Sequence, residues 1–286
     1  MQWSDLLPPP FAVKAGLTCL VLHVVFAVLF RFILPSGPWT ELPHATAHQL
    51  VCLPLMLYLL YHGCYAWFAE QDELYALGME GRIFGVSDRG VKMSEVVYGM
   101  MLFWDIPLSL VVPSLQDNIM LMHHIGMCFV SAVSLGLFSS GRPIGSYYAA
   151  FFCGVIEFSS VLLAIVDLFH PKNKAWFLWI NESKSSGARF ASMANEVARV
   201  GFAVSFLVVR CGFFPYVVFS TCLRDFWAAS MLEAESRRGV SRITLWLICA
   251  LNFGFTIMQL NWGILVAKQV MKALGLIPSG AKKKAA

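Results

Sequence analysis

The chain has 286 residues, of which 58% are hydrophobic and 13% are charged, and its formal net charge is +4. Its mean hydropathy of +0.67 leaves too few polar side chains to cover a soluble globule of this size. The small positive charge follows no aromatic-basic pattern, so nucleic acid is excluded as a partner. These figures predict a membrane protein.

Seven apolar stretches come close to the roughly 20 residues that a transmembrane helix needs. They cover residues 15–34, 49–68, 95–113, 119–138, 146–169, 197–223 and 243–267. The first stretch is about twice as long as the apolar core of a secretory signal and follows no basic segment, so we interpret it as a retained helix. The predicted fold class is all-α, a multi-pass membrane protein with about seven transmembrane helices.

The connections between these stretches predict parts of their arrangement. Prolines at 8–10 and 35–38 bracket the first helix and suggest that it sits apart from the others. Helices three and four are joined by a short turn around 116–118, which makes them antiparallel neighbours. The apolar patch 176–180 is expected along the membrane interface. The charged connection 223–242 is compatible with a short surface helix.

The spacing of cysteines and histidines argues against a metal site. Eight cysteines are scattered mostly within apolar stretches, and none forms a C-x-x-C pair. They are interpreted as small hydrophobic residues. Two adjacent imidazoles cannot easily ligate one ion, and the remaining histidines are not spaced to complete a site. We therefore expect no metal and no bound cofactor.

The adjacent pair His123-His124 is the leading candidate for chemistry, because imidazoles are costly inside a membrane. With the carboxyl terminus in the cytosol, the pair lies about 7 Å inside the cytosolic surface. Asp105, on the preceding helix, falls about 10 Å from the same surface. A carboxylate at that depth can fix the tautomer of an imidazole and raise its basicity. His123, His124 and Asp105 are therefore candidate catalytic residues.

Helices five and six add further ionisable groups. Glu157 is placed near mid-membrane as a fourth candidate catalytic residue, and Asp167 near the cytosolic end of the same helix. Their side chains are about 80° apart around the axis, so both could line one cavity. Arg210 lies at a depth similar to that of Glu157 and is predicted, with Asp167, as a polar residue of the lipid cavity. An ion pair between Arg210 and Glu157 is the structural alternative. The isolated His23 and His62 are interpreted as structural.

The carboxyl-terminal tail predicts location and orientation. Lys283 and Lys284 occupy the fourth and third positions from the end, which resembles the dilysine signal that retrieves membrane proteins to the endoplasmic reticulum. The alternative is an ordinary basic tail held by anionic headgroups. Either interpretation places the carboxyl terminus in the cytosol, and seven spans then place the amino terminus in the lumen.

Several motifs in order resemble the TLC-domain superfamily, which includes the translocating-chain-associating proteins, the ceramide synthases and the ceroid-lipofuscinosis membrane protein. The motifs are Tyr98 to Asp105, Leu121-Met122-His123-His124, Glu157-Phe158-Ser159, Arg210, and Gln259-Leu260-Asn261-Trp262. The resemblance covers about residues 48–270. It divides the chain into an amino-terminal segment with the first helix at 1–47, a TLC domain at 48–270, and a basic cytosolic tail at 271–286.

The resemblance implies six helices in a TLC-type barrel around a central cavity suited to a lipid or acyl chain. In ceramide synthases, which make sphingolipids, a histidine pair and a following H-D-x-x-D motif form the acyl-transfer site. His123 and His124 match the pair, but Glu157-Phe158-Ser159-Ser160 stands where the aspartates belong. This pattern is more similar to the non-synthase branch linked to lipid homeostasis.

Three functions remain open at this point. The first is a membrane protein of the endoplasmic reticulum that binds a lipid or acyl chain and acts in membrane lipid homeostasis. The second is an acyltransferase with acyl-CoA as co-substrate, in which a histidine takes the proton from an amine or hydroxyl, Asp105 orients it, and Glu157 or Asp167 assists. The third is a cargo or translocation accessory protein. Expected partners are a membrane lipid or acyl chain and, in the membrane, a second copy or a related chain.

Overall fold

The structure is a computed structural model that describes residues 7–278. The chain is 81% helical, and no strand occurs among the described residues, so the all-α prediction is confirmed. The seven long helices are α1 (Pro10–Ile33), α2 (Pro43–Glu70), α3 (Asp88–Val111), α4 (Asn118–Ser134), α5 (Ser146–Leu168), α6 (Ser186–Met231) and α7 (Arg242–Ala273). Shorter helices cover Pro38–Glu41, Asp72–Ala76, Gly78–Phe84, Pro113–Leu115 and Lys174–Glu182.

Six of the seven long helices are long and apolar enough to cross a membrane. The exception is α4, whose 17 residues are somewhat fewer than the roughly 20 usually required. Its course is nevertheless that of a crossing helix. It begins directly after α3 ends, and the loop that follows it returns to the start of α3, where the backbone N–H of Gly145 donates to the carbonyl of Ile83 at 2.7 Å. The chain therefore passes along the bundle seven times.

Contacts between the connecting segments define two ends of the bundle. At the end where α7 terminates, which we call the tail end, the indole of Trp176 donates to Thr46 at 2.9 Å. At the opposite end, which we call the far end, the guanidinium of Arg238 donates to the carbonyl of Phe84 at 2.9 Å. Helices α1, α3, α5 and α7 finish at the tail end, and α2, α4 and α6 begin there.

The first helix does not sit apart from the others, so that expectation is wrong. Small residues let α1 approach α3 closely: a side chain at Gly99 would collide with the backbone of Ala12, and one at Gly16 would collide with the backbone of Gly99. His23 in the same helix is completely buried. The flanking prolines end the helix without detaching it, since small residues on facing helices favour tight packing in lipid.

The structure also describes two of the segments that connect the predicted transmembrane stretches. Residues Leu223–Met231 continue α6 instead of forming a separate surface helix, and a turn covers 232–241. The apolar patch around Trp176 forms the helix Lys174–Glu182, and its tryptophan is buried against Thr46 and Trp39. Tertiary contacts thus hold this segment in place, and its position along the membrane interface stays a prediction.

Candidate functional site

Asp105 forms the centre of a polar cluster near the tail end of the bundle. It closes a π-helical turn, Met101–Asp105, within α3. Such turns insert one extra residue per turn, and they are frequent at functional sites. The side chain is 5% exposed. A buried carboxylate is costly unless partners satisfy it, so its neighbours determine what it can do.

Two histidines from different helices approach the two carboxylate oxygens of Asp105. Nε2 of His48, on α2, lies 3.3 Å from Oδ1, and Nδ1 of His124, on α4, lies 3.3 Å from Oδ2. Ser109 adds a hydroxyl that donates to Oδ1 at 3.3 Å. The ring of His124 is turned so that Nδ1 does not complete a hydrogen bond in spite of the short distance. Its contact with Asp105 is therefore electrostatic.

His48 was not identified from the sequence, although its orientation is closely determined. Its ring stacks on the indole of Trp104 with centroids 4.9 Å apart, and its Nδ1 lies 3.5 Å from Sγ of Cys52. His44, His48 and Cys52 recur every four positions along α2, which puts them on one helix face. This spacing was the signal available in the sequence. The predicted start of the helix at residue 49 left both histidines outside it.

A second histidine pair lies beside this cluster. Nε2 of His23 is 3.2 Å from Nδ1 of His44, and the ring centroids of His23 and His48 are 6.2 Å apart. His23 comes from α1, so the first helix supplies a side chain to the polar cluster. Its own Nδ1 is buried without a hydrogen-bond partner among the described residues. The structure thus places His23 beside the candidate site, where the sequence pattern left it isolated.

His123 points away from Asp105. Its ring contacts Phe255 and Trp262 of α7 edge-on, with centroid distances of 5.2 Å and 6.0 Å. Successive residues of a helix are about 100° apart around the axis, so the two histidines of the pair face different neighbours. The Nδ1 atom of His123 is buried and has no hydrogen-bond partner in the part of the chain that the structure describes.

Glu157 and Arg210 lie together, as the ion-pair alternative requires. The shortest distance, from Nη2 of Arg210 to Oε2 of Glu157, is 4.0 Å. The closer contacts of the guanidinium are with two hydroxyls, since it donates to Ser159 and Ser160 at 2.7 Å each. The pair is buried between α5 and α6. These contacts satisfy an arginine inside the bundle without requiring a ligand.

Asp167 makes its contacts near the end of α5, away from Glu157. It accepts a hydrogen bond from the side-chain amide of Gln49 at 2.9 Å. It also forms an ion pair with Lys172 at 2.7 Å. Both contacts lie at the tail end, about 15 Å along the helix axis from Glu157. Asp167 therefore joins α5 to α2 at the edge of the bundle, and its predicted place beside Arg210 in a lipid cavity stays a prediction.

Polar side chains also occur inside the bundle. A cavity of about 20 Å³ lies among α3, α4, α5, α6 and α7, lined in part by Ser94, Ser131 and Asn252. That space holds about one water molecule and is far too small for an acyl chain. Ser131 and, elsewhere in the bundle, Gln259 each have a buried oxygen without a hydrogen-bond partner among residues 7–278. The interior is thus polar but closely packed at this position.

Two further predictions concern other parts of the molecule. Lys283 and Lys284, the predicted retrieval signal, lie outside the described residues. Within residues 7–278, no group of three or more histidine, cysteine, aspartate or glutamate side chains is arranged to hold a metal ion.

The side chains around Asp105 can form hydrogen bonds, hold charge and transfer protons.

Fold and cluster together define a polytopic helical membrane protein with a buried carboxylate and histidines near one end. The chain belongs to the TLC-domain family, whose model matches residues 39–268. The match includes α2 to α6 and most of α7, and it leaves out α1 and the tail. It confirms the family that the motifs resembled; closeness to the non-synthase branch stays a prediction. No curated protein and no solved structure matches the chain.

Proposed function

We propose that this protein binds a membrane lipid or acyl chain whose polar end occupies the cluster around Asp105, and that it thereby acts in membrane lipid homeostasis. The observation that carries the proposal is the approach of His48 and His124 to opposite oxygens of Asp105, each at 3.3 Å. Ionisable groups inside a membrane protein mark functional sites by default, because each is costly to place there.

The atoms around this cluster support a ligand with both donors and acceptors. The indole nitrogen of Trp104 and Nδ1 of His23 are buried without partners among the described residues. Most buried polar groups in proteins are hydrogen-bonded, so unpaired ones point to a missing water or ligand. A hydroxyl, amide or carbonyl of a lipid headgroup supplies partners of these kinds.

The apolar part of the ligand has a place outside the packed interior. Leu110 and Val111 at the end of α3, and Ile119 and Met122 at the start of α4, are exposed by 57%, 71%, 60% and 68%. In this proposal the chain of the ligand lies along these side chains while its polar end reaches inward.

The proposal is tested by the lipids that copurify with the protein and by cellular lipid composition. We expect Asp105→Asn and His124→Ala each to reduce the amount of a specific copurifying lipid class at least threefold. A factor of this size in affinity corresponds to the loss of about one net hydrogen bond. The matched control is His170→Gln, which removes an exposed imidazole at the tail end. Equal lipid profiles in all four proteins, each shown to be folded, would refute the proposal.

A second candidate function is acyl transfer, and the contact between His124 and Asp105 favours it. With Nδ1 facing the carboxylate, Nε2 is the nitrogen that could accept a proton from an amine or hydroxyl as it attacks the thioester of acyl-CoA. The alcohol or amine would gain the acyl group, and coenzyme A would leave as a thiol. Labelled acyl-CoA supplied with long-chain amines and alcohols tests this, since a product should form and be lost in His124→Ala.

The location that we propose is the endoplasmic reticulum, with the carboxyl terminus in the cytosol. Its support is the pair Lys283 and Lys284 near the end of the sequence. In this orientation the tail end faces the cytosol, where acyl-CoA and newly made lipids are available. The Asp105 cluster would then open toward the cytosolic leaflet.

A further inference from the structure

A polar groove of about 570 Å³ lies at the far end of the bundle, away from Asp105. The end of α2, the segment after it and the first turns of α3 form its walls. The lining includes three acidic residues, Glu70, Glu73 and Asp88, and three basic or neutral nitrogen groups, His62, Arg89 and Lys92. The groove therefore offers both signs of charge within one concave surface.

Part of this charge is already paired, and that pairing fixes the groove wall. Nε of Arg89 donates to Glu70 at 2.6 Å, and its Nη1 lies 2.7 Å from Nδ1 of His62. A guanidinium has no acceptor, so the histidine nitrogen must accept this bond. The guanidinium also stacks over the ring of Tyr65, 4.6 Å from the centroid. Its Nη2 makes no hydrogen bond to any described residue, so its N–H groups remain available.

The other charged groups of the groove are free to meet a ligand. Within the described chain, Lys92, Glu73 and Asp88 form no ion pair, and all three are exposed. Gln71, by contrast, is 4% exposed, and its amide donates to Ser87 at 3.2 Å. The side-chain oxygen of Gln71 is buried and has no partner in the described part. This acceptor is an observation independent of the charges, and it calls for a donor.

The groove extends along α2 from the far end toward the middle of the bundle. Tyr58, at its lower end, lies about 18 Å along α2 from Glu70, which is more than half the thickness of the hydrocarbon core. Tyr58, Tyr61 and Tyr65 are exposed on the same helix, as interfacial tyrosines commonly are. The groove thus begins among charged groups at the far end and descends beside a helix that faces lipid.

From these features we infer that the groove binds the headgroup of an aminophospholipid, in which a phosphodiester stands next to a primary ammonium. Lys92 and the free Nη2 of Arg89 would bind the phosphate oxygens. Glu73, Asp88 and the oxygen of Gln71 would accept hydrogen bonds from the ammonium. A primary ammonium carries three donors and a quaternary choline has none, so the acceptors select the amine. The inference does not depend on the function proposed for Asp105.

The test uses the full chain in lipid nanodiscs that contain equal amounts of phosphatidylethanolamine and phosphatidylcholine with identical acyl chains. Native mass spectrometry counts the lipids that stay bound after release from the disc. We expect phosphatidylethanolamine to be retained about fivefold to tenfold over phosphatidylcholine, the factor in affinity that one typical net hydrogen bond provides. The double variant Glu73→Gln/Asp88→Asn should abolish this preference, and Lys92→Gln should lower retention of both lipids.

Matched controls are Glu182→Gln and Lys184→Gln, which remove exposed charges at the tail end and should leave retention unchanged. All the altered groove side chains are exposed, so thermal midpoints should remain within a few degrees of the parent. Equal retention of the two lipids by the parent protein, or a preference that persists in the double variant, overturns the inference. Equally effective binding of free phosphoethanolamine overturns the assignment to a membrane lipid.

Discussion

Nε2 of His48 lies 3.3 Å from Oδ1 of Asp105, although 57 positions separate the two residues in the chain. This contact joins α2 to α3 at the level of the predicted histidine pair. With His124 on the other oxygen, it gives the carboxylate two imidazole neighbours. Removal of any one of these groups would leave the others buried without that partner, so the cluster should stabilise the packing of the helices.

Replacing Asp105 tests how much this cluster stabilises the fold. Asp105→Leu leaves His48 and Ser109 without their acceptor, and we expect the free energy of unfolding to fall by about 2–4 kcal/mol. Asp105→Asn keeps one acceptor oxygen and should cost about half as much. Denaturant unfolding in detergent micelles measures both. Asp72→Asn, an exposed carboxylate, is the control and should change stability by less than about 0.5 kcal/mol.

The close approach of α1 to α3 gives a second prediction. Gly99→Val places methyl groups against the backbone of Ala12 and should separate the helices, with a loss of at least about 2 kcal/mol. Crosslinking between cysteines introduced on α1 and α3 should fall in parallel. Gly254→Ala is the matched control, because no atom lies within 4 Å of an added Cβ there. Undiminished crosslinking in Gly99→Val would contradict the packing described.

The buried pair of Arg210 and Glu157 makes a third prediction. Arg210→Leu leaves a carboxylate inside the bundle with its nearest cation removed, and the expected loss is about 3–5 kcal/mol. In the double variant Arg210→Leu/Glu157→Leu no buried charge remains unpaired, so most of that loss should be recovered. A double-mutant cycle of unfolding free energies measures the coupling. Additive single effects would show that the residues do not interact.

The far end contains an ion pair that the sequence pattern did not reveal. Nε and Nη2 of Arg82 donate to the two carboxylate oxygens of Asp225 at 2.6 Å and 3.0 Å, and the hydroxyl of Tyr148 donates to the same carboxylate. A lysine cannot reproduce this two-point contact, so Arg82→Lys should cost about 1–3 kcal/mol. Arg237→Lys, whose side chain makes no ion pair among the described residues, is the control.

The same contact predicts how this pair depends on alkaline pH. The hydrogen bond to Asp225 raises the pKa of Arg82 above its usual value. A raised folded-state pKa gives stability that is fully present below the unfolded pKa and is lost only above it. The contribution of Arg82 should therefore be constant from pH 7 to pH 10. Unfolding free energies of the parent and of Arg82→Lys should differ by a constant amount from pH 7 to about pH 9, where the substituted lysine is also fully charged in the unfolded chain.

The last prediction concerns the lysines of the carboxyl-terminal tail and the location of the protein in the cell. If Lys283 and Lys284 act as a retrieval signal, Lys283→Ser/Lys284→Ser should move the protein from the endoplasmic reticulum to later compartments. Moving the two lysines by one position, with the same charge, separates a sequence signal from binding to anionic headgroups. Fluorescence microscopy of both variants reads the result. Retention of both in the endoplasmic reticulum would contradict the retrieval interpretation.

The sequence predicted the helical class and most helix positions because apolar length reports directly on membrane crossing. The short turn between α3 and α4 also indicated that Asp105 and His124 lie on neighbouring helices. Helix ends were less well predicted. Residues 223–231 belong to a charged connection that suggested a surface position, yet Asp225 is buried there by its contact with Arg82. Local composition could not identify that partner, which lies far away in the chain.

Sequence alone was enough to establish an all-α membrane protein of the TLC-domain family, with His124 and Asp105 at one level of the bundle. The packing of the helices added that His48 and His23 join them, that His123 turns toward α7, and that Asp167 stays at the edge. Helix formation depends on local hydrophobicity and periodicity, which a sequence displays. Contacts between side chains of distant helices depend on how those helices pack and on how each is rotated about its axis. The spacing of residues along the chain does not specify this packing.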